Sequence, residues 1–178
     1  MANTTFSGPV RSKNGFINTG PGAVKALTLA TDLTVADHAG RLITMDPAGT
    51  PTAITIPSII STADAAVAGA NDPNNASTIG TTFEILFIDN FTCTIKTANT
   101  ADKFVGAVTL GITASTAGKQ FQVATNNNEV NLNGEAGTAT TGGLKGSIIK
   151  FTAIAANLYA VEGQLLAAGV LATPFDNQ

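Results

Sequence analysis

Thr81-Thr82-Phe83-Glu84-Ile85-Leu86-Phe87-Ile88-Asp89-Asn90-Phe91-Thr92-Cys93-Thr94-Ile95-Lys96-Thr97 decides the fold of this chain. Its second half alternates strictly: Phe91, Cys93 and Ile95 fall on one side, and Thr92, Thr94 and Lys96 on the other. That period of two is the mark of a half-buried strand. The first half, Thr81 to Ile88, is more continuously apolar, which predicts a central strand covered on both faces. Asp89-Asn90 supplies turn chemistry between the two halves, so the pair reads as a hairpin.

Working outward, the same alternation recurs in short runs. Arg41 to Met45 and Ala53 to Ile56, like Phe91 to Thr97, place β-branched and apolar residues on one face with Thr or Lys on the other. Further strands are expected over Ala107 to Thr113, Gln120 to Thr125, Glu129 to Leu132, Gly146 to Ala153 and Leu158 to Gln164. Turn-forming clusters separate them: Asn126-Asn127-Asn128, Asn133-Gly134, Thr141-Gly142-Gly143 and Ala156-Asn157. Strands at roughly 8–12-residue spacing predict an all-β fold, a compact antiparallel β-sandwich or barrel. No long amphipathic helix alternates with them, which argues against a doubly wound α/β fold.

Two stretches depart from the rhythm. Thr34-Val35-Ala36-Asp37 has capping-box spacing and predicts one helical turn before Gly40. Ser58 to Ala70 is Ala-rich and reads as a short helical insertion, ended by the loop Asn71-Asp72-Pro73-Asn74-Asn75. The chain therefore divides into an extended arm over 1–22, a β-rich core over 23–166 and a tail over 167–178 in which Leu171 and Phe175 are the sizeable anchors. No internal repeat and no second domain is evident.

Composition narrows the chemistry. The 178 residues suffice to bury roughly 70% of the unfolded surface. Only 12% are charged, about half the roughly 25% usual for soluble domains. Thr and Ala, 27 and 29 of them, take that space. Such a surface has little charge to repel neighbouring copies. The net charge is −3 and the 9 basic residues are scattered, so no cationic stripe is available for nucleic-acid phosphates. One Cys and one His exclude a disulfide framework and a Cys/His metal centre within one chain. The apolar runs fall well short of the ~20 residues that span a bilayer, so a soluble protein made in the cytosol and without membrane partners is expected.

Candidate chemical groups are few. Gly118-Lys119-Gln120 approaches the end of a phosphate-binding loop, but Thr113 stands where its first Gly belongs and Gln120 where its Ser/Thr belongs. Gly-rich Thr140 to Gly146 lies between strands and reads as a turn. His38 follows Asp37 in an expected surface turn, without any nucleophile motif. Glu84, Asp89, Asp102 and Glu129 are the acids from which a glycosidase pair would be drawn. With Tyr159 the single Tyr and no Trp, a sugar platform is poorly supplied. Cys93, in an alternating Thr-rich stretch, reads as a small buried hydrophobe. No catalytic residue and no cofactor are expected. An ion held by acids from separate copies on a symmetry axis would leave no trace in the spacing.

The opening Asn3-Thr4-Thr5-Phe6-Ser7-Gly8-Pro9-Val10-Arg11-Ser12-Lys13-Asn14-Gly15-Phe16 resembles the amino-terminal segment of virion structural proteins of tailed phages, especially phages of marine cyanobacteria. The core is similar to phage structural proteins over Leu33 to Ile43, Ala53 to Pro57, Gly80 to Ile85, Thr94 to Thr97 and Leu158 to Gly163. The resemblance implies a non-enzymatic capsid decoration (cement) protein on the outside of the head, with the major capsid protein as partner. It implies a β-rich homotrimer, with a dimer as the other possibility. A head fibre or tail-associated receptor-binding protein is the alternative. Within the arm, Phe6, Pro9, Val10, Arg11 and Phe16 are the expected capsid-binding residues: apolar groups for desolvated anchoring, and Arg11 for bidentate pairing with a carboxylate.

Overall fold

The computed structural model describes residues 23–45, 52–60, 78–114 and 117–178. The expected arm, most of the expected helical insertion and the loop after it lie outside these residues. Ser58 to Ile60, at the insertion's start, are not helical.

The strands are β1 (Val24–Leu27), β2 (Thr31–Asp32), β3 (Leu42–Met45), β4 (Ala53–Ile56), β5 (Thr82–Phe87), β6 (Cys93–Thr97), β7 (Lys103–Ile112), β8 (Gly118–Gln122), β9 (Glu129–Leu132), β10 (Ile148–Ala155), β11 (Leu158–Ala167) and β12 (Phe175–Asp176). They form a seven-stranded sheet in the order β1-β3-β5-β10-β11-β7-β8 and a five-stranded sheet in the order β12-β9-β6-β4-β2. The two sheets pack together as an all-β sandwich. One helical turn, α1 (Val35–His38), sits between β2 and β3, capped at Thr34 as its spacing predicts.

The pairing differs from a purely antiparallel sandwich. From β1 to β6 successive strands alternate between the two sheets, so each re-enters its own sheet after one excursion through the other. Two crossings restore the direction of travel, and the ladders β1–β3, β3–β5, β2–β4 and β4–β6 are accordingly parallel. The β7–β11 ladder is parallel as well. Antiparallel pairs complete both sheets, among them the β10–β11 hairpin.

The hairpin expected at Asp89-Asn90 is therefore corrected. β5 and β6 belong to different sheets, and the turn carries the chain across the layer. Its anchors explain the direction taken. The Phe91 N–H donates to the Gly143 carbonyl at 2.8 Å, the Asn90 Oδ1 accepts from the Lys145 N–H at 2.8 Å, and Phe91 tucks its ring 6.2 Å from that of Phe87. β5 is also not covered on both faces. Phe83, Ile85 and Phe87 are fully buried, while Thr82, Glu84 and Leu86 are half-buried on the outer side.

The core is the seam between the inner faces. Ile43, Met45, Phe83, Ile85, Phe87, Ile149, Phe151 and Leu165 come from the larger sheet; Ile54, Ile56, Cys93, Ile95, Val130 and Leu132 come from the smaller. Phe104 and Phe151 pack as tilted rings 5.3 Å apart, an arrangement aromatic quadrupoles favour. Within the large sheet the backbone of β7 comes close to that of its neighbour β11 at the exposed Gly106. A Cβ on Gly106, whose φ is +122°, would strike the Val161 carbonyl.

Residues 167–178 are built into this framework. β12 closes the small sheet against β9, with Phe175 opposite Val130. The Gln178 Nε2 donates to the Thr97 carbonyl at 2.9 Å, and its N–H donates to Asn128 Oδ1 at 3.0 Å. Because Phe175 is buried in the common core, Phe175→Ala should lower the unfolding free energy by about 3 kcal/mol in urea titrations. A loosely attached tail would leave it unchanged.

Candidate functional site

Alternation gives each sheet an outer face, and strand register assembles it. Across the seven-stranded sheet one row runs Val24, Leu42, Glu84, Lys150, Glu162, Ala107, Gln122, from β1 to β8 in sheet order. The next row runs Ala26, Thr44, Leu86, Ile148, Gln164, Thr109, Gln120. Thr82, Thr152, Ala160 and Val105 line up on the other side of the charged row. These are small, hydroxyl, amide or aliphatic side chains around three charges in the central row.

Those three charges stand on adjacent strands. The Lys150 Nζ donates to Glu162 Oε1 at 2.7 Å, and Lys150 faces Glu84 across the β5–β10 ladder. The hydrogen bond to Glu162, and then the fields of Glu162 and Glu84, raise the Lys150 pKa above its ordinary value. A shallow depression of about 550 Å³ lies over this group, bordered also by Ala107, Thr109, Ile148 and Gln164.

The five-stranded sheet presents a different outer face. Its corresponding row is Asp32, Thr55, Lys96, Glu129, Asp176. Thr94 donates to Asn131 Oδ1 at 2.8 Å, and Asn131 Nδ2 donates to Glu129 Oε1 at 2.7 Å. The strand-borne, exposed large hydrophobics Val24, Val105 and Ile154 all belong to the larger sheet. One outer face is polar and internally hydrogen-bonded; the other is broad, weakly charged and partly apolar.

The residues singled out in the sequence are dispersed. Phe6, Pro9, Val10, Arg11 and Phe16 lie outside the described residues. Glu84 and Glu129 occupy different sheets, and Asp89 is exposed at the crossing turn, where its Oδ1 accepts from the Asn90 N–H at 2.8 Å. These acids therefore do not form a catalytic pair. The companion of Glu84 is Glu162, with Lys150 between them, a grouping that only the register reveals because the three are far apart in sequence.

His38 is not in a surface turn but buried. Its Nδ1 accepts the Thr34 N–H at 3.0 Å, so the ring closes the helical turn it belongs to. Desolvation outweighs the other influences and lowers its pKa, which favours the neutral ring that can accept this bond. Cys93 is buried, as expected, and burial pushes its thiol up to about 12. Among the described residues no group of three or more His, Cys, Asp or Glu is gathered in a metal-binding arrangement. No helix among them is long and apolar enough to cross a membrane.

Among the described residues Asp102 is the one buried carboxyl. Its Oδ2 accepts the Ile59 N–H at 3.1 Å, and its Oδ1, also buried, has no hydrogen-bond partner among the described residues. Nearby, the Tyr159 hydroxyl donates to the Pro57 carbonyl at 2.8 Å, so two bonds from the core fasten the segment that leaves β4. Desolvation raises the Asp102 pKa, only partly opposed by the Ile59 hydrogen bond. The folded state thus holds a proton on Asp102 more tightly than the unfolded chain does. Stability contributed by the neutral acid is present below the ordinary Asp value and lost as pH rises through the raised one. Asp102→Asn cannot ionise, so its stability relative to wild type should rise between pH 3 and pH 7 when thermal melts are compared at both.

No protein-family model, no curated protein and no solved structure matches this chain.

Proposed function

We propose that the chain is a non-enzymatic virion structural protein that binds the outside of a phage head as a decoration, or cement, protein and stabilises the shell. The observation that carries this reading is the outer face of the seven-stranded sheet, where small, hydroxyl, amide and aliphatic side chains surround three charges in one row. A surface of that kind suits coverage and contact rather than turnover, because charged residues are depleted where protein interfaces are fully buried. The sequence resemblance to phage structural proteins points the same way.

In this reading the rigid sandwich is the body and the amino-terminal segment is the attachment. Phe6, Pro9, Val10 and Phe16 supply apolar anchors to the major capsid protein, and Arg11 pairs with a shell carboxylate. Joining copies in a trimer or dimer makes the later attachments intramolecular, so avidity exceeds that of one arm by about 10²–10⁴. Weak individual anchors then suffice, and the protein stays dispersed until a head is available.

The test is truncation. Deleting residues 1–20 should leave a folded oligomer, by circular dichroism and sedimentation, that no longer co-sediments with expanded heads assembled from the capsid protein encoded alongside this chain. The full chain should co-sediment. Undiminished binding by the truncated protein would show that the arm is dispensable, and failure of the full chain to bind would remove the decoration reading.

A further inference from the structure

We propose that the outer face of the seven-stranded sheet is a two-fold interface between copies of this chain, centred on the Glu84–Lys150–Glu162 row. This does not rest on the virion reading, since it follows from the face itself. Of the two oligomers considered above, it selects the dimer.

Size comes first. Seven strands about 4.8 Å apart, with long members rising about 3.3 Å per residue, offer of the order of 700 Å² of sheet surface. A stable complex buries roughly 800 Å² on each partner, so the face is large enough once protruding side chains are counted. Leu86, Ile148 and Val105 give it aliphatic contact to lose from water, and Val105 is 43% exposed.

Charge then chooses the occupant. A two-fold contact must be complementary to itself, each patch meeting a copy of the same patch. Glu84, Lys150 and Glu162 alternate in sign along one row on adjacent strands. An axis in the plane of the interface, parallel to the strands and midway between β10 and β11, brings β10 of one copy over β11 of the other. Lys150 of each copy then meets Glu162 of its mate, and both keep an opposite charge beside them within their own chain. Burying these groups is tolerable because they remain paired. A displacement by one strand would set like charges against each other, Lys150 against Lys150 or Glu162 against Glu162.

Charge reversal in two separate chains tests this. Sedimentation velocity of the full chain at micromolar concentration should show a dimer. Lys150→Glu opposes Glu to Glu across the axis, and Glu162→Lys opposes Lys to Lys, so each variant alone should weaken association by at least about tenfold. Both substitutions lie on the outer face, and circular dichroism should show both variants folded. An equimolar mixture sets each reversed residue against its opposite and should restore the dimer as a heterodimer, detectable by mass tagging of one chain. Repair of contacts inside one chain cannot produce that recovery. A monomeric or trimeric wild type, a dimer indifferent to either reversal, or a mixture that stays monomeric would each overturn the proposal.

Discussion

The inner faces of the two sheets have only each other to be buried against, and the first half of the chain serves both by crossing the layer at each connection from β1 to β6. This crossing is the constraint from which the rest follows. It makes the early ladders parallel, because a strand that returns after one excursion returns in its original direction. It places the apolar half of each alternating strand in one shared seam, and it leaves the other half as two outer faces whose compositions are free to diverge. The polar face of the small sheet and the weakly charged face of the large one are both residues of that arrangement.

Strand positions were legible because alternation is local. Arg41 to Met45, Ala53 to Ile56, Phe91 to Thr97 and Leu158 to Gln164 each carry their own period of two, and each coincides with an observed strand to within a few residues. The capped turn at Thr34 was equally readable, since its partners lie three and four residues away. Pairing is another matter. Asp89-Asn90 has the same composition whether it reverses a hairpin or crosses a sandwich. What decides between them is the contact of Phe91 and Asn90 with Gly143 and Lys145, more than fifty residues further on.

The same distinction governs the side chains of interest. Glu84 drew attention because it interrupts an apolar run, but its neighbours Lys150 and Glu162 come from strands far along the chain and become visible only through register. His38 looked exposed because it precedes Gly40. Its burial goes with a backbone N–H, that of Thr34, which donates to the ring Nδ1, and residue type alone does not announce this. Asp102 carried no signal of burial at all, lying in a Thr/Asn-rich stretch that reads as a loop. Phe175 was an isolated aromatic in a polar segment, and its place beside Val130 is set by β9, over forty residues earlier.

The position of β11 has a further consequence for how the molecule is made. β7 and β8 join the rest of the large sheet only through β11, which spans Leu158–Ala167. During translation the polypeptide must therefore be made as far as Ala167 before that sheet can become continuous. Until then the nascent protein carries two incomplete half-sheets with unpaired borders, the situation in which strands of neighbouring nascent chains join wrongly. Long-range pairings of this kind also slow folding intrinsically, so the yield of correctly folded protein is decided when the β10–β11 hairpin slots between β5 and β7.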